Sequence, residues 1–210
     1  MFFIFIYIYL LSHLYPKTMK KTFSLLLLLL SGIIYSQSFI TLDGVKIPTS
    51  VKYKEDNLNT KLVLNGAGIR DKMWISMYIQ ALYLIKESND PVKILNAKEN
   101  MAFRLYVTSS LITKKRLTEA LEEGLKKSFT GDLNTIKDKM DTFMSFFDSK
   151  IKENDVFDFV YNAKDDTTFI FWNGKVTGKI KGFDFKRAFF GIWLEEKSID
   201  NTLKKRLLGE

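Results

Sequence analysis

The chain has 210 residues, 46% hydrophobic, 27% charged and 14% aromatic, proportions that exclude a disordered chain and supply ample material for one buried core. It has no cysteine, and its only histidine is His13. Disulfide scaffolds, cysteine nucleophiles and Cys/His zinc sites are excluded, as are imidazole-dependent hydrolases if residue 13 is not in the mature protein. The formal net charge is +8, yet only five of the 32 basic residues are Arg, and the lysines are scattered among acids. That pattern excludes a phosphate-tracking stripe and with it a nucleic-acid partner. It leaves solvated surface charge, with peripheral contact to an anionic membrane as the remaining reading.

Residues 19–36, MKKTFSLLLLLLSGIIYS, have the basic start, short apolar middle and small polar end of a secretory signal peptide. The apolar run is shorter than the roughly 20 residues of a stable anchor, and no cysteine follows it for lipid attachment. Export to the periplasm or cell envelope is the expectation. Residues 1–18 are expected to be an upstream extension before a true start at Met19; a start at Met1 would make them a membrane-embedded arm. Removing residues 1–36 takes away three Lys and no acid, leaving 29 basic against 24 acidic residues. No repeat or Pro/Ser linker interrupts residues 37–210, which read as one domain.

Strand signals open that domain. Phe39–Thr41 and Val45–Ile47 flank the turn pair Asp43-Gly44, and Leu62–Leu64 leads into a glycine-broken corner, Gly66-Ala67-Gly68. Over 74–85, Ile75, Met77, Ile79, Ala81 and Tyr83 line one strand face while Ser76, Tyr78 and Gln80 line the other. Residues 101–107 alternate likewise. Leu117, Leu121, Leu125 and Phe129 predict a helix capped by Thr113 and stopped at Thr130-Gly131, and Leu133, Ile136, Met140, Phe143 and Phe147 predict a second. Strands follow at Val156–Tyr161 and in a hairpin, Thr168–Trp172 with Lys175–Ile180, turning on Asn173-Gly174. Asp184 is expected to cap a helix bearing Phe185, Phe189 and Trp193, and Ile199, Leu203 and Leu207 mark the last. Strands, helices, strands, helices in that order predict an α+β fold, a large antiparallel sheet with a helical layer on one face.

Without His or Cys, the groups left for chemistry are Arg, Lys, Tyr, hydroxyls and carboxylates. Arg70 stands out because it follows the glycine corner, where the backbone can turn a guanidinium inward over the sheet. A buried guanidinium must meet an anion or a set of carbonyls. An internal salt bridge and an external ligand both satisfy that demand. A dinucleotide fingerprint fails because its third glycine would be Asp71. Asp165-Asp166 and Glu122-Glu123 are adjacent and point apart, so no glycosidase pair is visible. The Phe and Met stripes read as core, which in a two-layer fold can also hold a lipid tail. No metal or cofactor is expected.

GAGIR at 66–70, MYIQALYL at 77–84, WNGKVTGKIKG at 172–182 and FFGIWLEEKSIDNTLKKRLLG at 189–209 together resemble the bacterial chalcone isomerase-like family over Phe39–Gly209. The resemblance implies an open-faced sandwich with a ligand cleft between sheet and helices. In plant chalcone isomerases a cleft arginine after Gly-Ala-Gly stabilises charge on the substrate carbonyl oxygen; Arg70 matches it. Tyr78 stands at the place of a threonine that holds the catalytic water. The catalytic tyrosine falls at or near Leu117 and an asparagine near Gly124, and the hydroxyl before the last helices falls within Phe185–Arg187, which has none. Trp193-Leu194-Glu195 and Ser198 also depart from the family pattern.

The resemblance therefore implies a non-catalytic protein that holds a fatty acid or similar carboxylate amphiphile on Arg70 and Tyr78. The alternatives are an intramolecular lyase of the chalcone isomerase type using Arg70, and a protein-interaction module with a vestigial cleft. Capture of an acid requires that Arg70 open into an apolar slot without a protein counter-ion.

Overall fold

Alternation with a period of two carries the first half of the chain into strands. A computed structural model describes residues 38–72, 75–147 and 150–210; the expected upstream extension and signal peptide lie outside them. The hairpin β1 (Phe39–Leu42) and β2 (Val45–Pro48) turns on Asp43-Gly44, both at positive φ. Seven further strands then form one antiparallel sheet in simple sequence order: β3 (Ser50–Glu55), β4 (Leu58–Lys72), β5 (Ile75–Leu84), β6 (Met101–Val107), β7 (Val156–Asn162), β8 (Thr167–Trp172) and β9 (Lys175–Lys181). Asn173 and Gly174 sit at φ 49° and 78°, as a type I′ hairpin turn requires.

Five helices are interleaved among the described residues: α1 (Pro91–Asn96), α2 (Lys114–Ser128), α3 (Asn134–Ser145), α4 (Phe183–Leu194) and α5 (Asn201–Leu207). Thr113 caps α2 by accepting from Arg116 N at 3.3 Å. The expected Asp184 cap is corrected. Gly182 at φ 122° is the residue before α4, and Asp184 lies in the first turn, where the Lys139 ammonium holds it at 2.6 Å. Helix α1 and strand β3 went unpredicted: α1 spans only six residues, and β3 alternates Val51 and Tyr53 with lysines over a length too short to stand out.

The helices cover one sheet face. Leu82, Phe103, Leu105, Phe157, Phe159 and Ile170 pack there against Phe143, Phe185, Phe189, Phe190 and Trp193. Helix α4 is buried nearly all round and is the centre of that layer. The other face curls onto itself around Ile47, Tyr53, Leu62, Ile79, Tyr83, Val160 and Phe171. Tyr53 on β3 lies 5.6 Å from Phe171 on β8, although five strand spacings would separate them by about 24 Å in a flat sheet. The α+β architecture is the one the order of elements predicted, with the second face closed by curl. Ser38–Glu210 form one compact unit.

The glycine corner is the main correction to the fold. Strand β4 runs straight through Gly66-Ala67-Gly68, with a register shift between Leu64 and Gly66 that makes Asn65 a bulge. One extra residue reverses which face the following side chains take. Leu58 and Leu62 face the curled core, while Gly66, Gly68 and Arg70 pair with Leu82, Gln80 and Tyr78 and so face the helices. The glycines serve close approach instead of bending. A Cβ on Gly66 would stand 2.2 Å from Arg206 O, and one on Gly68 would stand 2.7 Å from Arg206 Cβ. Bare backbone lets α5 lie directly on β4.

Candidate functional site

That contact builds the site. Asp200, the residue before α5, accepts Thr202 N at 2.9 Å and Leu203 N at 3.0 Å on Oδ1, the usual device for starting a helix. Its Oδ2 takes Arg70 Nη1 at 2.6 Å, with the two side chains 20% and 15% exposed. Arg70 Nη1 also donates to Asp71 O at 3.1 Å. At the far end of α5, Asn65 on the bulge donates to Leu207 O at 2.8 Å and accepts from Ser88 N at 2.7 Å. The short helix is thus pinned at both ends to β4.

Arg70 and Tyr78 are brought together, opposite one another across β4 and β5. The Tyr78 hydroxyl accepts from Trp193 Nε1 at 3.0 Å. Burial pushes its phenol up, more strongly than the Trp193 bond and the Arg70 charge pull it down. It therefore stays protonated at neutral pH and serves as a hydrogen-bonding group. Gln80, next along the same face, is 1% exposed, and its Oε1 is buried without a hydrogen-bond partner.

Two expectations are corrected here. Arg70 has a protein counter-ion, Asp200, because the glycines let α5 approach. The apolar slot is not open, because the space beneath Tyr78 is filled by rings: Trp193 stands edge-on to Phe103 at 5.4 Å, and Phe103 stacks on Phe190 at 4.8 Å. The grooves that do open lie elsewhere. One of about 410 Å³ runs past Phe129, Thr130, Phe183, Arg187 and Glu195, and another of about 390 Å³ lies between α1 and the ends of β5 and β6. Neither includes Arg70 or Tyr78.

The positions that the resemblance matches to catalytic residues carry no hydroxyl and no side-chain amide. Leu117 packs against the core. Gly124 is where α2 crosses α4, and a Cβ there would meet Ile192 Cγ2 at 2.6 Å. Phe185 is fully buried, and Lys186 donates to Ile94 O, Leu95 O and Ala97 O at 2.9, 2.7 and 3.1 Å, capping the end of α1. Among the described residues no cluster of acids or histidines could hold a metal ion.

Asp200, Trp193, Lys186 and a buried trio on the other face escaped the sequence reading. In that trio Asp158 accepts Arg104 Nε at 2.6 Å and the Tyr53 hydroxyl at 2.7 Å. The N-cap signal of Asp200 before Leu203 and Leu207 was legible; its partner, 130 residues upstream, was not.

A family model described as chalcone isomerase-like matches residues 39–209. Among solved structures, the crystal structure of a fatty-acid binding protein of Arabidopsis thaliana is similar at a TM-score of 0.64 and 17% identity, covering 82% of this chain and 96% of that one. No curated protein matches.

Proposed function

Because the chain belongs to the chalcone isomerase-like family, we propose that it is a non-enzymatic member that binds a fatty acid or similar carboxylate amphiphile, with the carboxylate on Arg70 and Tyr78. The observation that carries the ligand class is the fold's likeness to a fatty-acid binding protein; the Arg70–Asp200 pair is an internal competitor that the ligand must displace. The guanidinium already holds a carboxylate oxygen at 2.6 Å, delivered by a seven-residue helix lying over the sheet. A ligand carboxylate takes the place of Oδ2 while Oδ1 keeps its cap on α5. With Oδ2 displaced, the guanidinium fork suits the ligand carboxylate in a bidentate arrangement.

The anchor contributes about 1.5–3 kcal/mol and each buried methylene about 0.8 kcal/mol, so the tail sets affinity and Arg70 sets orientation. Admitting a tail requires that the rings packed beneath Tyr78 make room. Chalcone ring closure is not favoured, since Leu117 and Gly124 replace the acid–base and positioning groups. We further propose that the protein acts outside the cytoplasm, on the strength of residues 19–36. Displacement titration of a fluorescent fatty acid tests the binding reading: wild type binds, and Arg70→Ala binds roughly 10- to 150-fold more weakly, the loss of the anchor alone. Equal binding by both, or none by wild type, overturns it.

A further inference from the structure

The sheet end that carries Arg70 also carries exposed apolar tips. Ile75, at the start of β5, is 42% exposed, and Leu111, between β6 and α2, is 39% exposed. Hydrogen bonds join their segments: Thr108 donates to Ser76 O through Oγ1 at 3.2 Å and to Met77 O through N at 3.2 Å, and Arg116 Nη1 donates to Leu111 O at 3.1 Å. The next two loops are laced to the same end. Asn154 N donates to Val107 O at 2.8 Å, Val107 N donates to Asp155 O at 2.9 Å, and Asn173 Nδ2 donates to Asp155 Oδ1 at 2.8 Å.

The charge on this rim is lopsided. Lys72, Lys115, Arg116, Lys150, Lys152 and Lys175 are all exposed. Among the acids, Asp71 takes the Ser76 hydroxyl at 2.8 Å, Asp155 is buried and takes Lys152 N at 2.8 Å, and Glu119 lies 3.9 Å from Lys115. Glu153 is exposed without a bond described here, as is Glu196 on the connection that leads into Asp200, so the cations at this end outnumber the free acids. The opposite sheet end mixes Glu55, Asp56, Glu87, Asp90, Asp165 and Asp166 with Lys54, Lys86, Lys93, Lys98, Lys164 and Lys181, so it carries no comparable excess of either sign.

We infer that this rim is a docking surface for an anionic lipid bilayer, with Ile75 and Leu111 entering the interfacial zone and the cations lying at the head groups. Apolar insertion together with cationic attraction is the general basis of peripheral membrane binding. The purpose of docking rests on the lipid-binding reading; the apolar tips and the charge do not. Arg70 precedes Lys72 by two residues, about 7 Å along a strand, so docking brings the guanidinium to head-group depth, where a carboxylate passes from bilayer to protein without crossing bulk water.

Sedimentation of the full chain with phosphatidylcholine vesicles, with or without phosphatidylglycerol, tests this. All variants share the same N-terminal residues, so differences among them report on the rim. Wild type pellets several-fold more with anionic vesicles, and that excess disappears at high salt. Lys72→Glu/Arg116→Glu loses the excess, and Ile75→Asp/Leu111→Asp loses at least fivefold in partitioning at either salt. Equal pelleting of wild type and both variants overturns the inference. So does a wild-type dimer that Ile75→Asp/Leu111→Asp turns into monomer while vesicle binding is unchanged, since the rim would then be a self-interface. Fatty-acid titration without vesicles is unaltered in these variants. A failed rim is therefore distinct from a failed ligand site, which Arg70→Ala reports.

Discussion

Asp200 holds Arg70 with one carboxylate oxygen and starts helix α5 with the other. The two tasks separate chemically, because an amide caps a helix about as well as a carboxylate but does not neutralise a guanidinium. Asp200→Asn therefore keeps α5 in place and removes the internal competitor for a ligand's charge. Displacement titration should show affinity for a fatty-acid probe rising about tenfold, equivalent to roughly 1.4 kcal/mol, while the denaturation midpoint falls because Arg70 loses its counter-ion. Unchanged or weaker binding would show that Oδ2 does not compete with ligand.

The glycines of β4 are predicted to matter for stability unequally. At Gly66 an added methyl meets main-chain carbonyl oxygens of α5; at Gly68 it meets the side chains of Arg206 and Leu203. Side chains give way more cheaply than backbone. Urea denaturation should place Gly66→Ala about 2–3 kcal/mol below wild type, near the upper end for overpacking, and Gly68→Ala above it. The reverse order would mean that α5 slides as a unit.

On the far face, burial and then the Asp158 charge raise the Tyr53 phenol. Burial pulls the Arg104 pKa down, but the Asp158 bonds outweigh it and leave it raised. Asp158→Ala leaves Arg104 without its partner inside the curl and should cost about 3–5 kcal/mol. Because the sheet separates this trio from Arg70, fatty-acid affinity of the folded variant should match wild type. A parallel loss of binding would contradict the assignment of the ligand to the helix-covered face.

Lys186 predicts a pH signature. Burial, followed by the Arg187 charge, lowers its pKa from 10.5 to about 8. Between about pH 8 and 10.5 the unfolded chain binds more protons at this residue than the folded one, so its contribution to stability rises with pH. Lys186→Met removes the donors to the α1 carbonyls and lacks this gain. Its stability deficit, measured by denaturation, should widen from pH 7.5 to pH 10. A constant deficit would mean that the three carbonyls keep the ammonium charged throughout.

Most of the architecture was legible because it rests on local signals. Alternation over 75–84 and 101–107, the Asn173-Gly174 turn and the apolar stripe of α3 each follow from neighbours a few residues apart. Arg70 and Tyr78 were legible as a pair through family resemblance. The Gly66–Gly68 corner was misread because glycine marks both a bend and a close contact, and only the helix lying on it distinguishes the two.

Backbone preferences and hydrophobic periodicity, which act within a turn or a strand pair, were enough to specify an antiparallel sheet under a helical layer. Whether Arg70 stands alone or neutralised depended on a single bulged residue and on a helix more than a hundred residues away. Charge pairing acts through space, and folding alone chooses which distant carboxylate it brings within 3 Å.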